Sequence, residues 1–251
     1  MKDTDELFSL AQHLVSKGRE LVQEGESEQY SDVIRKSWGG RETTFRIDEV
    51  LNEYLISGLQ PVGLPIYSEE SPAPDREALK GLFWALDPLD GSVNFARGSG
   101  PCSISLALWK GMTPIFGVVA VLDSTSLFAG GLDFPSVVNG VPIRVSRVAA
   151  RSRATLATGL PTRFTLESST DRNGLISDMA GYAKIRMLGA ASVSLCLVAK
   201  GSVDCYAERG IMLWDVAAGL AVVQGAGGSF EIEGRAGEPL TVTAGNGFIW
   251  D

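Results

Sequence analysis

The sequence predicts an α/β or α+β sandwich, and three observations carry that expectation. Apolar residues recur at helical spacing near the N-terminus, as in Leu7, Leu10, Ala11, Leu14 and Val15. Between Leu82 and Gly131 the chain turns into a series of apolar runs that read as strands covered on both faces. Past about residue 150, short strands and helices alternate without the strict order of a wholly parallel fold. With 45% hydrophobic residues in 251, the chain can bury a sizeable core. No repeat, low-complexity linker or charge block divides it, so residues 1–251 are expected to form one domain.

Each element follows in order. The first helix extends its apolar stripe to Leu21 and Val22, with Thr4 or Asp5 placed to cap it. His13 lies between the apolar positions and is expected at the surface. A second helix is expected from Arg46 to Ser57, with Val50, Leu51, Tyr54 and Leu55 on one face. The stretch LQPVGLPIYSEESPAP then ends helical structure and leaves room for a short strand. FWAL, SISLALW, IFGVVAVLD, LFAGG and PIRVS read as strands, and Asn139-Gly140 ahead of VPIRVS is a turn-then-strand signal. There follow a strand at ATLATG, a helix around Ser168 to Tyr182 and a strand at KIRML. A helix from Ala190 to Lys200, a strand at VDCYAE, a helix beginning at WDVAAGLAVV and a last strand at SFEIE complete the chain. QGAGG follows a helix and reads as its stop, not as a dinucleotide loop. Trp84, Trp109 and Trp214 are expected in the core, and Arg151 and Arg153 at the surface.

Charge and residue counts exclude several function classes. Thirty Asp plus Glu against 22 Lys plus Arg leave a net charge of −8, and no basic run is present. Nucleic acid and anionic membranes are therefore not expected as partners. One histidine cannot build a His-rich zinc site, and a Ser-His-Asp triad would have to use His13. Cys102, Cys196 and Cys205 sit in apolar segments and read as core residues of a reducing compartment. The N-terminus is acidic, unlike a signal peptide. No apolar run approaches the roughly 18 residues of a membrane span. A cytoplasmic protein is expected, whose hydrolytic chemistry would run on carboxylates, hydroxyls and an oxygen-preferring metal.

Position then decides which carboxylates matter. Asp87 and Asp90 lie in FWALDPLDGSVNF, directly after a buried-looking strand. Pro88 biases Asp87 toward extended geometry, and Gly91 permits a tight turn. Two carboxylates three residues apart across such a turn can converge on one site, with the Leu89 carbonyl as a third oxygen. Ser92 would then open a short helix whose free N–H groups can hold a phosphate. Like charges this close need a cation or a shared proton, and Mg²⁺ suits oxygen ligands. Glu69 and Glu70 follow another short strand, and Asp215 lies where a helix starts. Read singly, a surface turn, a solvated glutamate pair and a helix cap would explain these three groups.

SEES, DPLDGSVNF, NGVPIRVS and LWDVAAGLAVVQGAGG, in this order, resemble the inositol monophosphatase family, the lithium-sensitive and magnesium-dependent phosphatase superfamily. The resemblance runs from Asp48 to the last glycines. It implies a five-layer αβαβα sandwich of the inositol monophosphatase and fructose-1,6-bisphosphatase type, usually a homodimer. It also implies two or three Mg²⁺ ions per site. Glu69, Asp87 and the Leu89 carbonyl would hold the first, and Asp87, Asp90 and Asp215 the second. A third would lean on Glu69 and water. Asp48, Ser92 and Glu69 are the implied catalytic residues, with Ser92 and Asp48 taking the proton of the attacking water. Gly91 and Ser92 would give N–H groups to the phosphate. Gly189, Ala190 and Ala191 would form the backbone wall of the substrate pocket. Glu208 would bind ring hydroxyls, beside Asp90 and Asp215.

The implied reaction is hydrolysis of a small polyol or sugar phosphomonoester, inositol monophosphate first. Fructose-1,6-bisphosphatase or dual-specificity activity is the alternative, because Ser92 replaces the family's common threonine as in fructose bisphosphatases. Val93-Asn94-Phe95 departs from the bisphosphate nucleotidase pattern and disfavours adenosine 3′,5′-bisphosphate. The stretch KSWGGRETTFRID lacks the family's common wording, so the loop around the third metal is open, with Lys36 a candidate there. A non-catalytic binding or regulatory member of the fold is the alternative of a different class. Loss of a metal ligand would mark it, and Glu69, Asp87, Asp90 and Asp215 are all present.

Overall fold

The apolar strands set the architecture. A computed structural model describes residues 3–24, 33–36, 43–160 and 169–249. The helices are α1 (Thr4–Glu24), α2 (Arg46–Leu59), α3 (Ser92–Arg97), α4 (Ser169–Met179), α5 (Ala191–Ala199) and α6 (Leu213–Gly225). Strands β1 (Val33–Lys36) and β2 (Thr43–Phe45) form a small antiparallel pair. A seven-stranded sheet runs in sequence order through β3 (Ile66–Ser68), β4 (Leu82–Asp90), β5 (Ser103–Lys110), β6 (Thr113–Val121), β7 (Leu127–Gly131), β8 (Val137–Val138) and β9 (Val141–Pro142). Its first pair is parallel and the rest are antiparallel. A five-stranded sheet has the order β11-β10-β12-β14-β13. It is built from β10 (Thr155–Ala157), β11 (Lys184–Arg186), β12 (Cys205–Ile211), β13 (Ser229–Glu233) and β14 (Leu240–Gly245).

Strand alternation shows how the layers stack. On β4, Trp84 and Leu86 face a core shared with Leu7, Leu14, Ile47, Leu51 and Leu55 of α1 and α2. Phe83 and Ala85 face the opposite way, into a core shared with α5 and α6. That second core also takes Ala157, Tyr206 and Val242 from the inner face of the five-stranded sheet. The outer face of that sheet, with Leu156 and Cys205, meets Met179 of α4 and Tyr182. The order is therefore helices, seven-stranded sheet, helices, five-stranded sheet, helix: the expected five-layer αβαβα sandwich. Strands β4 and β5 are buried almost along their length because both of their faces are covered.

Most expected elements are present. The buried face of α1 is Leu7, Ala11, Leu14, Val15 and Gly18, and His13 is exposed. Trp84 and Trp109 are core residues, the three cysteines are buried thiols, and α6 stops within QGAGG. Arg151 is exposed, over the Tyr182 ring at 4.9 Å. Among the described residues no helix is long and apolar enough to cross a membrane.

Several expectations need correction. PIRVS is not a continuous strand, because only Val141 and Pro142 pair, with β8. Pro142 has no N–H for a ladder, and the following N–H groups bond to loop carbonyls: Ile143 to Ser136 and Val145 to Ala226. The helix expected to Tyr182 ends at Met179, ahead of Gly181 at φ 87°; Ser168 lies outside the described residues. Strand pairing of 33–36 with 43–45 was not foreseen. Trp214 is half-buried, not a core residue; its ring packs 4.8 Å from that of Tyr67.

Candidate active site

The site begins with an irregularity in β4. Along a regular strand, residues three apart point to opposite faces. Here Asp87 pairs with Ser105 and Asp90 with Ser103, so two β4 residues, Pro88 and Leu89, oppose the single residue Ile104. This bulge brings Asp87 and Asp90 to the same face of the sheet. The Asp87 carboxylate accepts the Leu89 N–H at 3.0 Å, which fixes the turn. Gly91 follows at φ 86°, and a Cβ there would lie 2.9 Å from the Pro101 carbonyl and 3.2 Å from that of Gly189. Glycine is required at this position on both counts.

Two other acids arrive by helix starts. Asp48 is the third residue of α2, and its Oδ2 accepts the Phe45 N–H at 2.6 Å. Asp215 is the third residue of α6, and its Oδ2 accepts the Met212 N–H at 3.0 Å. Both cap their helices from inside the first turn, so neither is the ordinary cap before a helix. In each case one oxygen caps the helix and the other is left for the site. Glu69 follows β3, which a chain of side-chain bonds holds to α2: Ser68 Oγ to Asn52 Oδ1 at 2.7 Å, and Asn52 Nδ2 to Ser71 Oγ at 3.1 Å.

Glu69, Asp87 and Asp215 each offer a carboxylate oxygen, and these atoms lie within 4.8 Å of one another. Asp90 is in the same cleft, with its oxygens engaged by the N-terminus of α5. Ser92 Oγ lies 2.7 Å from Asp48 Oδ1 and 2.9 Å from the Leu89 carbonyl oxygen. All of these acids hold protons more tightly than usual. Burial pushes Asp48 up to about 6, against the hydrogen bonds from Ser92 and Phe45. Burial raises Asp90 to about 6, against its bonds to Ser192 and Ala191. Glu69 is raised to about 8 by desolvation and by the Glu70 carboxylate, although it remains open to solvent at the cleft mouth. Asp87 and Asp215 are raised well above the carboxylate range by burial and then by their acidic neighbours. Among the described residues no positive charge enters into these shifts, and such a cluster favours either protons or a cation.

The cleft holds about 340 Å³. It is lined by Glu69, Asp90 and Asp215, by the 189–191 stretch whose Ala191 N–H bonds to Asp90, and by Glu208. No lysine or arginine lines it among the described residues. An all-oxygen set of converging carboxylates, without a local cation, fits a hard divalent ion. The Asn94 amide donates to the carbonyls of Pro101 and Leu188, each at 2.8 Å, and so ties α3 to the wall. Glu208 Oε2 accepts the Tyr206 hydroxyl at 2.9 Å, and burial raises Glu208 to about 7. A Cβ on Gly159 would lie 2.5 Å from Glu208 Oε2, so the missing side chain makes room for that carboxylate.

Of the expected residues, Glu69, Asp90, Asp215, the 189–191 stretch and Glu208 line the cleft, Asp87 converges with Glu69 and Asp215, and Ser92 bonds to Asp48 beside the Leu89 carbonyl. Lys36 falls on β1, whose side chains are outside the described residues, as is the backbone of 37–42. Sequence reasoning missed Ser192, Ser103, Tyr206, Gly159 and Trp214. Tyr206 had a legible signal, since residues two apart on a strand share a face with Glu208. Ser192 and Ser103 had none.

Comparisons with known proteins agree with this architecture. Residues 3–249 match the model of the inositol monophosphatase family. The chain is 36% identical over 167 residues to a protein named Nus factor SuhB from Pasteurella multocida, a stretch covering 65% of this chain and 61% of that one. It is 32% identical over 168 residues to a fructose-1,6-bisphosphatase/inositol-1-monophosphatase from Aquifex aeolicus, covering 67% and 64%. The matched stretches thus span less than two thirds of these relatives. The solved inositol monophosphatase of Anabaena (Nostoc) superposes with a TM-score of 0.82 at 23% identity, covering 98% of this chain and 93% of that one, which speaks for the fold. The chain belongs to the inositol monophosphatase family.

Proposed function

We propose that this protein is a Mg²⁺-dependent phosphomonoesterase acting on a small polyol phosphate, inositol monophosphate first. The observation that carries the reading is the convergence of Glu69, Asp87 and Asp215 within 4.8 Å, in the same site as the Ser92–Asp48 pair. In it, Glu69, Asp87, the Leu89 carbonyl, Asp90 and Asp215 would hold two or three Mg²⁺ ions. When bound, the metal would neutralise the phosphate dianion and acidify a water molecule. Ser92 Oγ would accept a proton from the attacking water and pass its own to Asp48 Oδ1, which is 2.7 Å away. The elevated proton affinity of Asp48, about 6, suits it to that task. The opening N–H groups of α3, at Gly91 and Ser92, face the phosphate. Gly189, Ala190 and Ala191 hold the polyol ring against Glu208, which accepts its hydroxyls.

Cleft electrostatics favour a monophosphate over a bisphosphate. A second phosphate would meet Glu208 with no lysine or arginine among the described lining residues. One domain over 1–251 is part of the same proposal, supported by the core that α5 and α6 share with both sheets. Lithium sensitivity and a homodimer rest on the family resemblance, and a cytoplasmic setting on the three thiol cysteines and the acidic N-terminus. The relative named as a Nus factor favours a second reading, a regulatory binding protein.

A phosphate-release panel tests the proposal, with inositol 1-phosphate, fructose-1,6-bisphosphate, histidinol phosphate and adenosine 3′,5′-bisphosphate, each with and without Mg²⁺ and Li⁺. Mg²⁺-dependent release is expected with inositol 1-phosphate, with weak turnover of both bisphosphates. No release from any member would leave the regulatory reading. Glu208→Gln is expected to raise KM for inositol 1-phosphate about tenfold, the weight of a hydrogen bond to a charged group, with little change for an aryl phosphate. Equal effects on both would remove Glu208 from recognition.

A further inference from the structure

Asp90 is bound to the 189–191 stretch and the residue after it. The Ala191 N–H donates to its Oδ1 at 3.3 Å, while the Ser192 N–H and hydroxyl both donate to Oδ2, at 2.7 and 2.5 Å. Ser192 Oγ in turn lies 2.6 Å from Ser103 Oγ. The single hydroxyl proton of Ser192 is committed to Asp90, so Ser103 must be the donor to Ser192. Both serines are fully buried, and Ser103 is the ladder partner of Asp90 across β4 and β5. The result is a buried line of donors, Ser103 to Ser192 to Asp90, joining β5 of the seven-stranded sheet to the start of α5.

The division of bonds on Asp90 is informative. Oδ2 takes two short bonds and Oδ1 the longer one from Ala191, and the Val193 N–H also bonds to the carboxylate. Oδ2 is thus the tightly held oxygen, and Oδ1 lacks any bond as short as either of those two. Capping of α5 does not need the Ser192 hydroxyl, since backbone N–H groups already bond to the carboxylate. What the hydroxyl adds is orientation, because a second donor on Oδ2 sets the rotation of the carboxylate plane.

We propose that Ser192, backed by Ser103, is a positioning residue: it pins Oδ2 of Asp90 to α5, leaves Oδ1 for the cation, and so couples cation binding to the 189–191 wall. The proposal rests on the metal-dependent phosphatase reading. Outer partners of metal ligands commonly govern affinity by 10- to 100-fold.

The test is calorimetric titration of Mg²⁺ into the wild type, Ser192→Ala, Ser103→Ala and the double variant, with KM, kcat and Tm for each. Ser192→Ala is expected to weaken Mg²⁺ binding about tenfold and to raise KM for inositol 1-phosphate in parallel. Ser103→Ala should shift both in the same direction by less. The double variant should match Ser192→Ala, because Ser103 acts only through Ser192. A Ser192→Ala protein with wild-type Mg²⁺ affinity and KM, even with a lower Tm, would overturn the proposal and leave the phosphatase reading standing. Additive losses in the double variant would also overturn it. Should Ser192→Ala not fold, Ser103→Ala decides by itself: unchanged affinity and KM reject the relay. A wild type that neither binds Mg²⁺ nor releases phosphate would overturn both readings.

Discussion

Ser92 and Asp48 show how little machinery the proposed proton transfer needs. The hydroxyl donates to Asp48 Oδ1 at 2.7 Å, while the other carboxylate oxygen is occupied by the Phe45 N–H. Asp48 thus has one oxygen for the chemistry and one for its helix. Ser92→Ala should lower kcat by about 10² to 10³, the range of a lost acid–base partner, with KM nearly unchanged. Steady-state kinetics check this, and a loss confined to KM would assign Ser92 to binding instead. Asp87, Asp90 and Ser92 were legible because they lie within six consecutive residues whose turn chemistry is local. The roles proposed for Asp48, Glu208 and the 189–191 stretch come only from the family resemblance. Ser192 could not be read, since its role depends on the strand opposite Asp90. Nothing in SVSLCLVAKG announces that neighbour.

At the scale of elements, the site depends on where β4 bulges and where α2 and α6 start. The bulge turns a spacing of three residues into a shared face, and each helix start presents an acid from its third position. Glycines set the depth of α6: a Cβ on Gly117 of β6 would lie 2.3 Å from the Ala218 carbonyl oxygen. Ala218 is three residues after Asp215 on the same helix. Gly117→Ala should therefore push α6 outward, lowering Tm by about 3–10 °C for an overpacking cost of about 1–3 kcal/mol. Mg²⁺ affinity should fall with it, as measured by thermal scans with and without the ion. An unchanged Tm would show that the helix is not seated against Gly117. Most of the elements were readable from apolar periodicity. PIRVS was misread because its backbone partners are loop carbonyls at Ser136 and Ala226, which a local pattern cannot reveal.

The whole molecule places these acids where two sheets and a helix layer meet, and burial there sets their response to pH. Asp48 and Asp90 stand at about 6 in the fold, against an ordinary 3.8, and Glu208 at about 7 against 4.5. Between pH 4 and 7 the folded, metal-free protein therefore retains protons that the unfolded chain has released. Its stability is greatest at the acidic end and declines as pH rises through 6 and 7. A cation that binds the deprotonated acids acts in the opposite direction. The Tm of metal-stripped protein should drop by about 5 °C or more from pH 5 to 7.5, with saturating Mg²⁺ largely abolishing the drop. Parallel curves with and without Mg²⁺ would mean that the ion does not bind at these carboxylates. The five-layer order was foreseen through the family resemblance, whereas composition alone indicated only a mixed sandwich. Asp87, 1% exposed at the centre of that stack, is the group through which the account is most directly tested. The measurement is Mg²⁺-dependent phosphate release from inositol 1-phosphate by wild type and by Asp87→Asn with an unchanged circular dichroism spectrum. Release by the wild type and its loss in the variant are predicted, whereas Mg²⁺-dependent turnover retained by Asp87→Asn would contradict the carboxylate cage.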